Sequence, residues 1–133
     1  MVRVWTPIEI HNLYADLYES CFGKPQDESA PPLVLVHEDD DGVVKGFVAG
    51  RKINSNTFYY SFAGTVEGHS MASSRRHWNS VYDFLRKSGI EWCETCVENT
   101  NTVAQRVILG QGWVPFGIRV MKDKILVQYY KEL

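Results

Sequence analysis

The sequence predicts an α+β domain with elements in the order β-α-β-β-β-α-β-α-β-β. Three observations carry that expectation. A complete helix-start signature stands at Thr6-Pro7-Ile8-Glu9, and a run of strands joined by two tight turns fills 33–66. The stretch from Asn101 to Trp113 then reads as a short helix passing straight into an aromatic strand. At 133 residues the chain fits one domain, 1–133, and is long enough to bury a core.

The elements follow in order. Val2-Arg3-Val4-Trp5 alternates and predicts a first strand. Thr6 can cap the next helix, Pro7 has the φ favoured at the first helical position, and Glu9 closes a capping box. Ile10, Leu13, Tyr14, Leu17, Tyr18 and Cys21 share one helical face, and Gly23 stops it. Lys24 to Pro32 is charged and proline-bearing without periodicity, so it reads as a loop. Leu33–His37, Val43–Arg51 and Thr57–Val66 form an antiparallel meander, turned at Asp39-Asp40-Asp41-Gly42 and at Asn54-Ser55-Asn56. The three aspartates lack the alternating ligands and terminal glutamate of a calcium loop.

From Glu67 to Arg76 small residues dominate, and the helix that follows carries Trp78, Val81, Tyr82 and Leu85 at helical spacing before Gly89. Trp92–Val97 is the next strand. Cys93 and Cys96 stand three apart there, so their thiols point to opposite faces and read as buried and inert, with no metal site expected. Asn101 caps the third helix, whose Val103, Ala104, Val107 and Ile108 give one apolar face, ended by Gly110 and Gly112. Trp113–Met121 and Ile125–Tyr130 complete the strands around a turn at Lys122-Asp123-Lys124.

A net charge of -2 gives no electrostatic reason to expect nucleic acid or a membrane surface as partner. No apolar run reaches transmembrane length, and Arg3, Glu9 and Asp16 interrupt anything resembling a signal peptide. Three cysteines, an odd number, argue against a disulfide framework and suit a reducing, cytoplasmic compartment.

The element order and one motif resemble the GNAT superfamily of N-acetyltransferases. Its members show an asparagine, an alanine three residues on, a tyrosine at seven, and glycine-aromatic at eleven and twelve. The corresponding residues are Asn101, Ala104, Ile108, Gly112 and Trp113. Val2-Arg3-Val4 followed by Thr6-Pro7-Ile8-Glu9 also looks like the family's first strand and helix. The resemblance implies a mixed, mostly antiparallel twisted sheet of about seven strands with helices on both faces. It further implies that the fourth and fifth strands splay and that acetyl-CoA lies between them. Backbone amides of the fourth strand would bond the pantetheine, and the following helix N-terminus would hold the pyrophosphate.

Carried onto this chain, the resemblance assigns Val66, Ser70, Ala72, Ser73, Ser74, Arg75, Arg76 and Asn101 to the cofactor. Glu67 takes the place of the general base that accepts a proton from the amine. Two departures stand out. The phosphate loop, expected at 69–74, lacks the family's glycines and its leading arginine or glutamine, leaving serines and the Arg75-Arg76 pair. Ile108 replaces the tyrosine that protonates the leaving thiolate, so Tyr129 or Tyr130 would have to serve. The acceptor is expected to be a small-molecule or peptide amine, in a site left open by the short polar 24–32 segment; a homodimer through the C-terminal strands is a further expectation. A looser likeness links Val97 through Gly112 and the arginine-bearing helix start to GNAT-like bacteriophage proteins of the internal virion protein A type. It implies a non-catalytic scaffold or virion-associated module whose partners are virion proteins, located in the host cytoplasm or the virion.

Overall fold

The computed structural model describes residues 1–26, 29–66 and 71–133, and of Met71, Ala72 and Ser73 the backbone alone. Its elements are β1 (Val2–Val4), α1 (Pro7–Phe22), β2 (Leu33–Glu38), β3 (Val44–Asn54), β4 (Thr57–Thr65), α2 (Met71–Lys87), β5 (Trp92–Glu98), α3 (Thr102–Gly110), β6 (Val114–Met121) and β7 (Lys124–Glu132). One seven-stranded sheet runs in the order β1-β2-β3-β4-β5-β7-β6. Among the described residues only β4 and β5 pair in parallel, with α2 as their crossover. This is the α+β, GNAT-like architecture that the sequence predicts.

Local chemistry explains where the elements begin. Thr6 Oγ1 accepts from the Glu9 amide at 3.2 Å while Glu9 Oε1 accepts from the Thr6 amide at 3.0 Å, so the capping box forms in both directions. Arg3, from β1, bonds Glu9 and Glu38 and ties helix start to sheet. Asp39 Oδ1 accepts from the amides of Asp41 and Val43, both at 2.9 Å, and Gly42 takes the positive φ of 78° that closes the β2–β3 turn.

Strand alternation divides the core between the two sheet faces. Val34, Val36, Phe47 and Ala49 pack with Tyr14, Leu17 and Tyr18 of α1. Leu35, Val48, Phe58, Tyr60 and Cys93 pack on the other face with Val81, Tyr82 and Leu85 of α2, and Trp113 and Tyr129 extend that layer toward α3. Each fully buried side chain of this kind contributes about 1.5–3 kcal/mol of hydrophobic stabilisation.

Three boundaries differ from expectation. Leu13 stays exposed, because the buried stripe of α1 follows positions 10, 14, 17 and 21 with Tyr18 beside it. In α3 Val103 is 72% and Val107 46% exposed, and only Ala104, Gln105 and Ile108 are half-buried. That nine-residue helix docks through a single line of residues. Finally α2 begins at Met71, so Ser73 and Ser74 belong to its first turn instead of a preceding loop.

Candidate active site

The central geometric feature is a divergence of β4 from β5. They pair over four residues only, from Thr57↔Trp92 to Tyr60↔Thr95, although β4 continues to Thr65 and β5 to Glu98. Thr95 Oγ1 donates to Tyr60 O at 2.9 Å across the last rung. The cause lies on the other side of β4. Gly50 pairs with Tyr60 and Ala49 with Phe62, so Ser61 is an extra, bulged residue. A bulge bends its strand and reverses the face of every later side chain. Accordingly Phe58 and Tyr60 enter the α2 core while Phe62 packs on the α1 side. Gly50 permits this approach: a Cβ there would meet Tyr59 O at 1.8 Å. Beyond Tyr60, among the described residues, no strand pairs with the β5-facing edge of β4. That stretch of backbone is free to bind an extended ligand.

The residues singled out by sequence distribute unevenly around this gap. Val66 follows β4, and its amide donates to Lys45 O at 3.0 Å, which commits it to the β3 side. Glu67 and Ser70 lie outside the described residues. The backbone of Ala72 and Ser73 forms the first turn of α2; Ser74 is half-buried there, and Arg75 and Arg76 are exposed in the next turn. Among the described residues the first turn carries no acidic side chain, and a helix dipole favours an anion at such an end. Asn101 is exposed and caps α3, with Oδ1 accepting from the Ala104 amide at 3.1 Å.

The two tyrosine candidates separate cleanly. Tyr129 is 2% exposed and its hydroxyl donates to Gln105 Oε1 at 2.7 Å, on the α2–α3 side of the sheet. Burial raises its pKa, keeping the hydroxyl protonated. Tyr130 points to the opposite face and stacks on Trp92, ring centroids 4.3 Å apart. Ile108 is half-buried against the core and carries no proton to give.

Sequence reading missed the clamp that joins α2 to the end of α3. Trp113 Nε1 donates to the Tyr82 hydroxyl at 2.9 Å, Tyr82 bonds Gln111 Oε1, and Lys131 Nζ donates to Gln111 O at 2.7 Å while lying 4.9 Å over the Tyr82 ring. Burial raises the pKa of Tyr82, so it too stays neutral. The clamp floors a cavity of about 500 Å³ whose wall includes Arg75, Asn79, Arg86 and Lys131. The spacing 75-79-82-86 along one helical face was the available signal. A larger hollow of about 650 Å³ sits at the paired end of β4 and β5; Glu91, Glu94 and Glu132 line it, which makes it unsuitable for an anionic carrier.

Other chemistries find little support here. Cys93 is fully buried and its thiol is pushed up to about 12 by burial, while Cys96 faces away from it and Cys21 is likewise free. Among the described residues no group of three His, Cys, Asp or Glu could hold a metal ion, and no helix is long and apolar enough to cross a membrane.

No family model matches the chain, and no curated protein matches it by sequence. Solved structures do match it. Spermidine/spermine N-acetyltransferase SpeG from Vibrio cholerae has a TM-score of 0.72 at 14% identity, covering 99% of this chain and 91% of its own. The ribosomal-protein-S18-alanine N-acetyltransferase from Escherichia coli has a TM-score of 0.70 at 12% identity, covering 99% and 94%. YncA from Salmonella typhimurium, solved with its cofactor acetyl-CoA, has a TM-score of 0.66 at 14% identity, covering 99% and 92%. Across essentially its whole length, the chain has the fold of the GNAT N-acetyltransferases.

Proposed function

We propose that this protein is an N-acetyltransferase that takes an acetyl group from acetyl-CoA and transfers it to an amine. The observation that carries the reading is the parting of β4 and β5 after the Tyr60–Thr95 rung, with the N-terminus of α2 following β4 in the chain. The free edge of β4 supplies donors for the pantetheine arm. The first turn of α2, with Ala72, Ser73 and Ser74, receives the pyrophosphate together with Ser70, assisted by Arg75 and Arg76. Asn101 and the carbonyl of Val66, whose amide is already bonded to Lys45 O, are assigned to the cofactor by the family resemblance alone. Glu67 removes a proton from the amine, and the Tyr129 hydroxyl, kept protonated by burial, protonates the departing thiolate. Positioning of the two reactants supplies the remaining rate gain. YncA, of the same fold, holds acetyl-CoA, which supports the choice of donor.

Calorimetric titration with acetyl-CoA tests the reading. Binding well below about 1 mM is expected, weakened by Arg75→Ala with Arg76→Ala in a salt-dependent manner. No heat at that concentration refutes the enzyme. Unchanged affinity in the double variant removes the two arginines from the site.

The half-buried aliphatic Ile108, in the position of the family's acid, favours a second reading. There the fold persists as a non-catalytic binding or virion-associated module of a phage, with virion proteins as partners. Binding of acetyl-CoA without turnover on any amine is its signature. Under either reading the edge strand β6, with Val114, Phe116, Ile118 and Val120 exposed, favours a homodimer; a monomer by sedimentation at micromolar concentration excludes it. Three free thiols suit a cytoplasmic location.

A further inference from the structure

One face of the sheet is left bare. The core built by α1 ends at β4, and on that side no described helix belongs to the layer over β5, β7 and β6. The register gathers polar side chains there. Arg51 stands across from Tyr59, Tyr59 beside Glu94, Cys96 across from Gln128, Gln128 across from Gly117, and Arg119 across from Leu126. Cys96 is the first residue of β5 past the last rung with β4, so the cluster sits where the strands part. It lies on the face opposite α2 and α3.

Two cations flank this point. The Arg51 guanidinium lies 5.2 Å over the Tyr59 ring. Burial, followed by a hydrogen bond with Cys96, raises the pKa of Tyr59, and both Arg51 and Arg119 act on it in the opposite sense, from either side. Both arginines are exposed, and among the described residues neither makes an ion pair. Glu94 and Glu98 flank Cys96 on the same face of β5, but both are engaged: Glu94 accepts from Trp92 Nε1 at 3.0 Å, and Glu98, in the row of Arg119, pairs with Lys124 at 3.6 Å. Beside them Phe116, Tyr130 and Trp92 form an aromatic strip, with centroid spacings of 5.7 Å and 4.3 Å. Two guanidinium groups outside any described ion pair on one open face suit an oxyanion, which each can bind through two donors.

We propose that the acceptor amine carries an anionic group, a carboxylate or a phosphate, which Arg51 and Arg119 hold on this face while the nitrogen points to the gap beside Cys96. This rests on the acetyltransferase reading. The neutral amine nitrogen bonds to the acetyl carbonyl carbon, and the thioester C–S bond breaks with its electron pair on sulfur. The proton lost by nitrogen ends on that thiolate, giving an acetamide and a free thiol. The aromatic strip takes the apolar remainder of the acceptor.

Matched acceptors test the proposal on the full chain: phenylalanine against phenethylamine, and phosphoethanolamine against ethanolamine, with release of the CoA thiol as readout. The anionic member of at least one pair is expected to show kcat/KM about tenfold higher, and the pair that does so identifies carboxylate or phosphate. Arg51→Gln and Arg119→Gln are expected to raise KM for that acceptor about tenfold more than for its neutral partner. Equal or better use of the neutral amines, or variants that raise both KM values alike, overturns it. A second measurement needs no turnover. N-acetylphenylalanine and phosphoethanolamine are titrated into isotope-labelled protein, and NMR shifts centred on Tyr59, Cys96 and the arginine side chains are expected, lost in the double variant. Their absence overturns the anion site even where acetyl-CoA binds. Failure of acetyl-CoA to bind instead refutes the underlying enzyme reading.

Discussion

Replacing Gly50 by alanine tests whether the β4 bulge opens the cleft. A Cβ at that position would stand 1.8 Å from Tyr59 O and 3.0 Å from its carbonyl carbon. Since the obstacle is backbone, no rotamer change relieves it, and the strands must separate by about 1.5 Å to restore ordinary contact. Overpacking against a fixed backbone costs about 3 kcal/mol or more, a large part of the roughly 5–15 kcal/mol that domains possess. The bulge could instead slide by one residue. That would turn Phe58 and Tyr60 out of the α2 core, or Phe62 out of the α1 core. Urea unfolding followed by tryptophan fluorescence gives the magnitude: with a slope of about 1–3 kcal/mol per molar, the midpoint is expected to fall by about 1–3 M. Acetyl-CoA affinity of the remaining folded protein is expected to fall with it. Gly110→Ala serves as control, because nothing lies within 4 Å of a Cβ there and its φ is ordinary. It is expected to hold or gain up to about 1 kcal/mol. A Gly50→Ala midpoint within about 0.5 M of wild type, with acetyl-CoA binding intact, refutes the reasoning.

Three further outcomes follow from side-chain environments. Tyr129→Phe should lower kcat by about a hundredfold with little change in acetyl-CoA affinity; an equal loss of both would make Tyr129 a packing residue. Because burial holds its hydroxyl above the ordinary value of 10.0, the wild-type rate should show no alkaline fall attributable to this acid below that pH. Cys93, fully buried and pushed up to about 12, should resist a thiol reagent at neutral pH in the native state and react only in denaturant. Peptide mapping that finds it modified at the rate of an exposed thiol contradicts its placement. Glu9 is held near 2, below the usual 4.5, chiefly by its hydrogen bonds to Arg3. A depressed carboxylate stabilises the fold above its unfolded pKa, and that contribution is lost as pH falls through the folded value. The deficit of Glu9→Gln in urea midpoint should therefore be full at about pH 6 and shrink toward about pH 2; a deficit that grows on acidification reverses the sign.

The features legible in the sequence are those governed by near neighbours. Thr6, Pro7 and Glu9 announce a cap whose partners are three residues apart, and Asp39 with Gly42 announces a turn. Strand alternation correctly sends Cys93 and Cys96 to opposite faces. What escaped depends on distant surfaces. Val103 and Val107 have helical spacing, yet α3 turns only Ala104, Gln105 and Ile108 toward its neighbours and leaves both valines exposed. Nothing in Ser61 marks it as a bulge; the clue was Gly50 in the neighbouring strand, a residue whose missing side chain signals close backbone approach. Tyr129 and Tyr130 had to oppose each other, but only the register with β5 and the bond to Gln105 decide which one faces α3. Glu67 and Ser70 lie outside the described residues.

The four-rung joint between β4 and β5 also bears on how the molecule breathes. On one side lie β1 to β4 with α1, a meander built from near-neighbour pairings; on the other lie β5, β7 and β6 with α3. Helix α2 and the Tyr82–Gln111–Trp113 clamp bridge the two. A seam this short should open at a lower free energy than global unfolding, so amide exchange should resolve two cooperative units. A ligand lodged along the seam binds only the closed form and would raise protection on both flanks together. Occupancy of the gap proposed for acetyl-CoA would thus be readable in the motions of the whole sheet.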